Sequence, residues 1–441
     1  MSTLRRSFAP LFVAAAALAV AALPGAAAQA SSSALRPTTA APAYYGAGPG
    51  GKVAIGFFTQ WSIYSGFLEK DLISDGAASK LTEINYAFSS VSAAGLCTSG
   101  DSWADYQKPF TADQAVDGVA DTADQTLAGN FNQLRELKAK YPKLKIVMTI
   151  GGWSWSNQFS QLASTAAGRQ AFVNSCVDQY LNGNIPGLPA GAAKGIFDGL
   201  DIDWEYPNEP GNGNPYGPQD TADFTALMQT FRGAIDQAGK ANGDHYLLTA
   251  DVSPNQYTAA QQLQLPQLAK SLDWFNVMTL DFHGAWENQS DFTANLLPDP
   301  KDPQASNDKF SIVQTVQYYE QHGVPASKIA LEIPYYAHAW TGVSSANNGL
   351  YQSATGASPE DQAAYSVVAD EPGTVHYDPV TASIWKYDAA SGTFYSYDDP
   401  QTVAEKGLYV DLAGLRGASV WSLDEDTSNG ALTNALAGAL F

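Results

Sequence analysis

Short runs of β-branched and other apolar residues recur from Val53 onwards, each followed by a segment whose apolar positions return every three to four residues. Runs that are apolar throughout are strands buried on both faces, and the segments after them are the crossover helices of parallel βα units. The pattern predicts strands at Val53–Phe58, Glu83–Phe88, Leu144–Ile150, Ile196–Glu205, Tyr246–Asp251, Trp274–Asp281, Ile329–Pro334 and Ala418–Leu423. Helices are predicted at Leu127–Tyr141, Gly168–Leu181, Asp220–Ala238, Ala259–Ser271, Ser311–His322 and Gly430–Leu440. Eight such units predict an α/β fold, a TIM (β/α)8 barrel, and no Gly-rich phosphate loop follows the first strand to favour an open doubly wound sheet. The rhythm breaks once, because the gap between the seventh and eighth strands exceeds one helix and its loops. Residues 341–399 are therefore predicted to form a small α+β insertion, with Ile384–Tyr387 and Thr393–Tyr397 as a hairpin.

Ahead of the first strand the pattern is different. Arg5 and Arg6 precede an apolar run to Leu23 and small residues ending Ala28-Gln29-Ala30, the layout of a secretory signal peptide over 1–30. The stretch from Ala9 to Leu23 is short of the roughly 20 residues that span a bilayer, which argues against a membrane anchor. Arg5-Arg6-Ser7-Phe8 resembles part of a twin-arginine signal, with Leu4 where Ser or Thr is usual, so the export route stays open. Residues 31–50, rich in Ser, Ala, Pro and Gly, read as a flexible leader, and 51–441 hold the barrel with its insertion. In an oxidising compartment Cys97 and Cys176 form either a disulfide or two separate thiols, a choice that geometry makes and sequence does not.

Composition narrows the function. Of 441 residues 45% are hydrophobic and only 15% charged, enough apolar material for a large core. With 44 acidic and 23 basic residues the net charge is −21, a surface that repels phosphate backbones and anionic lipid, so neither nucleic acid nor a membrane is an expected partner. Two Cys and five scattered His cannot build a multi-thiolate zinc site, and no metal is expected.

The chemistry concentrates in Asp198-Gly199-Leu200-Asp201-Ile202-Asp203-Trp204-Glu205-Tyr206-Pro207. Strand alternation points Asp201, Asp203 and Glu205 to one side, about 6–7 Å apart along the chain. Inside a barrel, repulsion and burial raise at least one of their pKa values, and the last acid, at the strand end, is best placed to donate a proton. An exposed acidic edge strand or a calcium site is the alternative, and the apolar Ile, Phe and Leu around the acids argue against exposure.

This segment resembles the DxxDxDxE signature of family 18 glycoside hydrolases, the chitinases. Four other segments resemble further motifs of that family: Ile84-Asn85-Tyr86-Ala87-Phe88; Thr149-Ile150-Gly151-Gly152-Trp153, with Thr for the Ser of SxGGW; Met278-Thr279-Leu280-Asp281, with Leu for the Tyr of MxYD; and Trp421 near the last strand. The resemblance implies a secreted, endo-acting chitinase that takes chitin and chitooligosaccharides, works without a cofactor, and cleaves β-1,4 bonds with retention; the sequence does not encode an oligomeric state, and a monomer is assumed. An endo-β-N-acetylglucosaminidase and a non-catalytic sugar-binding protein are the alternatives. It further implies that Glu205 is general acid and base, that the substrate's N-acetyl group is the nucleophile, and that Asp203, held by Asp201, orients it. Tyr206, Asp281, Trp421, Trp153, Trp286, Met278, Phe88 and Tyr336 are then the candidate substrate contacts, with Trp340 lining the same cleft and Asp198 supporting the strand. Leu280 cannot supply the hydroxyl that the family's tyrosine gives to the acetamido carbonyl oxygen, so a substitution there to Tyr is expected to change turnover.

Overall fold

A computed structural model describes residues 51–441; the predicted signal peptide 1–30 and leader 31–50 lie outside the described residues. Among the described residues eight parallel strands close into a barrel: β1 (Val53–Thr59), β2 (Glu83–Val91), β4 (Lys145–Gly151), β5 (Gly199–Asp203), β6 (Leu247–Val252), β7 (Trp274–Val277), β8 (Ile329–Pro334) and β14 (Gly417–Trp421). Pairing of β14 with β1 and of β1 with β2 completes the ring, and the short β3 (Cys97–Ser99) runs antiparallel to β2 outside it. Outward residues such as Leu200, Ile202, Leu331, Ile333 and Val420 pack with the surrounding helices into the main core. Inward ones form two apolar plugs. Val53, Ile55, Trp274 and Ala330 close the N-terminal end, and Phe57, Ala87 and Phe88, joined by Trp155 and Trp421, stand at the C-terminal end. The layer between them is polar, and every polar side chain that the alternation turns inward there is buried.

Three predicted elements are corrected. The β5 run does not extend over Ile196–Glu205: the Ile196 N–H turns back to Ala193 O, and the Glu205 N–H leaves the ladder for Ser156 Oγ at 2.9 Å. Trp274–Asp281 likewise stops at Val277, because Thr279 N–H bonds Val277 O and Leu280 N–H bonds Met278 O, two tight turns that end strand pairing. Ala259–Ser271 is two pieces, a 3-10 turn Ala259–Gln262 and a helix Leu265–Ser271 that starts afresh with Pro266 in its first turn. A further helix, Pro400–Leu412, had no sequence prediction; Asp399 and Thr402 form its capping box and Pro400 opens it.

Between β8 and β14 lies a five-stranded antiparallel sheet of β9 (His338–Thr341), β10 (Gly356–Ala357), β11 (Thr374–Asp378), β12 (Ser383–Asp388) and β13 (Thr393–Tyr397). The hairpin pairs Ile384 with Tyr397 and Tyr387 with Phe394. The sheet starts at His338, three residues ahead of the predicted boundary, since β13 needs a partner on its other side and His338–Trp340 supply it. A long segment after β7 packs beneath it: Phe292 joins Trp340, Trp385 and Phe394 in a separate apolar cluster, and Thr293 N–H bonds Ser396 Oγ. Cys97 and Cys176 are disulfide-bonded, tying β3 to the end of the helix Ala166–Cys176.

Candidate active site

The C-terminal ends of the barrel strands carry the site, as the fold leads one to expect. Asp201, Asp203 and Glu205 all turn inward and are buried. Asp201, lowest of the three, is fully enclosed and surrounded by neutral donors from four other strands: Thr249 Oγ1 at 2.5 Å, Thr149 Oγ1 at 3.0 Å, Asn85 Nδ2 at 3.2 Å and Asn276 Nδ2 at 3.3 Å. Burial pushes its pKa up, and a hydrogen bond with the Asp251 side chain, followed by these neutral donors, opposes the shift. Asp203 has no comparable set, and its Oδ1 is buried without a hydrogen-bond partner. Burial, with the charges of Glu205 and Asp201, raises it well above the carboxylate range. A proton shared by the pair therefore sits on Asp203 and the negative charge on Asp201.

Glu205 stands above them, past the strand end, and burial pushes it up to about 7, against a hydrogen bond from the Tyr206 side chain and with the Asp281 charge adding. Its main chain is fixed on both sides: Ser156 Oγ accepts from the Glu205 N–H and Asn214 Nδ2 donates to the Glu205 carbonyl at 3.0 Å. Gly151 makes this approach feasible; at φ +115° it passes so close to β5 that a Cβ there would lie 2.1 Å from Asp203 O.

Asp281 adopts φ 54°, in the left-handed region, and is held there by two contacts on one oxygen: Tyr336 OH at 2.5 Å and His338 Nε2 at 2.8 Å. The other His338 nitrogen, Nδ1, meets Asp361 Oδ1 at 2.9 Å. Burial alone would lower the His338 pKa, but the hydrogen bonds and charges of the two aspartates outweigh it and push it up to about 9, so the ring is an imidazolium clamped between two carboxylates.

Trp421 stacks on Phe88 with centroids 5.5 Å apart and meets Phe57 at 5.3 Å, forming an aromatic base at the barrel mouth. Trp153 and Trp286 project half-exposed or more from the ends of β4 and the β7 loop, and Trp286 stands edge-on to His338 at 5.0 Å. Met278 is buried just past the end of β7, Tyr206 is half-buried beside Glu205, and Tyr336 braces Asp281. Trp340 is a correction: it is fully buried in the insertion's own cluster, its Nε1 donating to Glu287 O at 3.1 Å, because, although it shares a face of β9 with His338, Phe292 and Phe394 pack over it. Asp198 lies at the opposite end of the barrel, paired with Lys138 at 2.7 Å and Lys145 at 3.0 Å.

Sequence reasoning passed over Asp251, Glu332, His338 with Asp361, Trp61 and Trp155. Asp251 and Glu332 left a visible signal, a single acid at an inward position of an otherwise apolar strand run. Trp61 follows β1 directly, with its ring 6.2 Å from Phe88 and 6.4 Å from Trp421. The His338–Asp361 pair spans 23 residues and had no local signal.

A closed parallel barrel with stacked buried acids and an aromatic base at its C-terminal mouth is the architecture of a glycoside hydrolase. Residues 53–426 match the profile described as Glycosyl hydrolases family 18, and the chain belongs to that family. It is 37% identical over 388 residues to Chitinase C of Streptomyces lividans, covering 87% of this chain and 59% of that protein. Endochitinase 1 of Metarhizium robertsii is 32% identical over 394 residues, covering 88% of this chain and 85% of that protein. Among solved structures, the catalytic domain of psychrophilic chitinase B from Arthrobacter TAD20 superposes with a TM-score of 0.85 at 37% identity, covering 90% of this chain and 97% of that one. The chain spans about three fifths of the length of Streptomyces Chitinase C.

Proposed function

We propose that this protein is a secreted, monomeric chitinase that cleaves β-1,4 bonds within chains of N-acetylglucosamine, with retention of configuration. The observation that carries this reading is Glu205: a buried acid with a pKa near 7 at the barrel mouth, directly above the Asp201–Asp203 pair. A carboxyl poised so donates a proton to the glycosidic oxygen at mildly acidic pH and takes one back from water afterwards. The substrate's acetamido oxygen closes on C1 as the bond to the leaving sugar breaks, giving an oxazolinium ion, so no carboxylate of the protein attacks. Asp203, with an unpartnered oxygen, accepts from the acetamido N–H, and as positive charge develops its proton moves towards Asp201, leaving an anion next to the ring. Trp421 carries the apolar face of the reacting sugar, while Trp153 and Trp286 take neighbouring sugars. Relatives named as chitinases and endochitinases support the substrate, and the signal-peptide pattern of residues 1–30 in the sequence supports an extracellular site of action.

The test is proton NMR of a chitin hexasaccharide digest taken within minutes, with Glu205→Gln as control. Fresh β-anomers from wild type alone, and fragments from internal cleavage, are the expected result. Fresh α-anomers exclude the substrate-assisted route. An intact but bound hexasaccharide excludes chitinase activity and favours a lectin, and release of N-glycans from a glycoprotein in its place favours the endo-β-N-acetylglucosaminidase alternative.

A further inference from the structure

Glu332 sits in the middle of β8, in register with Ser419 of β14. Its neighbours in sequence, Leu331 and Ile333, face the helix layer, and Ala330 belongs to the inner plug, so the alternation aims the Glu332 side chain into the barrel. It is only 4% exposed, and its Oε2 is buried with no hydrogen-bond partner. Its main-chain carbonyl accepts from Thr279 Oγ1 at 2.7 Å, which fixes β8 against the turn carrying Met278, Leu280 and Asp281. The titratable groups facing it are Asp201, Asp203 and Glu205 from the β5 run, Asp251 from β6, Asp281 from the β7 loop and Tyr336 after β8. None is a cation, and the His338 imidazolium is already taken by Asp281 and Asp361.

Burial, then the charges of Asp201, Glu205 and Asp281, hold Glu332 well above the carboxylate range against a hydrogen bond with the Ser419 side chain, so at neutral pH it is an acid with a proton to donate. Of the carboxyl groups facing it, Asp201 already accepts four hydrogen bonds, and Asp203 and Asp251 are held as acids themselves, so Glu332 Oε2 is left without a partner. An unmet donor in such a place costs free energy unless a ligand meets it. The strongest acceptor that an N-acetylated sugar brings to the floor of the site is its amide carbonyl.

We propose that Glu332 donates a hydrogen bond to the acetamido carbonyl oxygen of the bound sugar and so holds it in line for closure on C1. This rests on the activity reading above and adds to it a residue in contact with substrate. The contact orients the nucleophile and transfers no proton.

The experiment compares wild type, Glu332→Gln and Glu332→Leu on the chitin hexasaccharide at neutral pH, with thermal unfolding of each. Gln keeps an N–H donor at the same place; Leu removes it. The expected result is a fall in kcat on the order of a hundredfold for Glu332→Leu, with KM changed only a few-fold, and a loss within about tenfold for Glu332→Gln. Glu332→Leu with wild-type kcat, or a folded Glu332→Gln as slow as Glu332→Leu, overturns the role. An infrared difference spectrum, wild type minus Glu332→Gln, needs neither turnover nor a folded Leu variant: a protonated-carboxyl C=O band supports the assignment and a carboxylate band overturns it. Wild type that leaves the hexasaccharide intact overturns the activity reading and this role with it, whereas active wild type beside an equally active Leu variant overturns this role alone.

Discussion

The acid role proposed for Glu205 needs its protonated form, and burial places its pKa near 7. The expected profile of kcat/KM on chitooligosaccharides is therefore flat below about 7 and falls tenfold per pH unit above it. Glu205→Gln, which cannot give up a proton, is expected to lose on the order of 10³-fold in kcat while binding persists; a rate profile that rises through pH 8 contradicts the assignment. His338 makes the opposite kind of prediction, about stability. Its folded pKa is raised from 6.5 to about 9, so its contribution is fully present below 6.5 and is lost as pH rises through 9. The shift corresponds to about 3 kcal/mol. Unfolding of wild type and His338→Gln in urea, compared at pH 6 and pH 10, should show a large difference at the lower pH that shrinks at the higher, and KM should rise in the variant because Asp281 loses its clamp. Asp201, Asp203 and Glu205 were legible from spacing alone, since alternation in a strand is local. His338 was not, because its meaning comes from Asp281 and Asp361, which the chain brings from 57 residues before it and 23 residues after it.

Elements were easiest to read where apolar runs are buried on both faces and hardest where the chain leaves a ladder. The strands β1, β4 and β8 fall where the pattern put them, while β5 and β7 end early, at points set by turns and side-chain acceptors that periodicity does not encode. Those early ends matter to the site: they free Glu205 and Asp281 from the sheet so that each takes its own direction. The Cys97–Cys176 bond is an element-level feature of the same kind, joining residues 79 apart in sequence. Closing so long a loop in the unfolded chain contributes about 4.5 kcal/mol in the chain-entropy model. Reduction, or Cys97→Ser with Cys176→Ser, should lower the thermal midpoint measured by calorimetry and leave kcat near wild type, since the bond lies outside the barrel; an unchanged midpoint contradicts the model.

For the molecule as a whole, the barrel supplies the acids and the insertion supplies a wall braced on the β7 loop. Trp340 is the joint: buried in the insertion cluster, it bonds the Glu287 carbonyl next to Trp286. Trp340→Ala should destabilise by about 3–5 kcal/mol, read in urea unfolding, and raise KM for long oligosaccharides more than for short ones, because the loop holding Trp286 and Asp281 loses its support. Equal KM changes for long and short substrates would show that the joint does not reach the cleft. The sequence by itself determined the eightfold βα rhythm, the place of the insertion and the stack Asp201, Asp203 and Glu205, because hydrophobic period and strand alternation are properties of neighbouring residues. Only the tertiary structure decided which buried acids keep their protons, that Glu332 and Asp251 join the stack, that His338 is charged, and that Cys97 meets Cys176. Each of these depends on burial and on partners from distant strands, and closure of the barrel is the step that creates both.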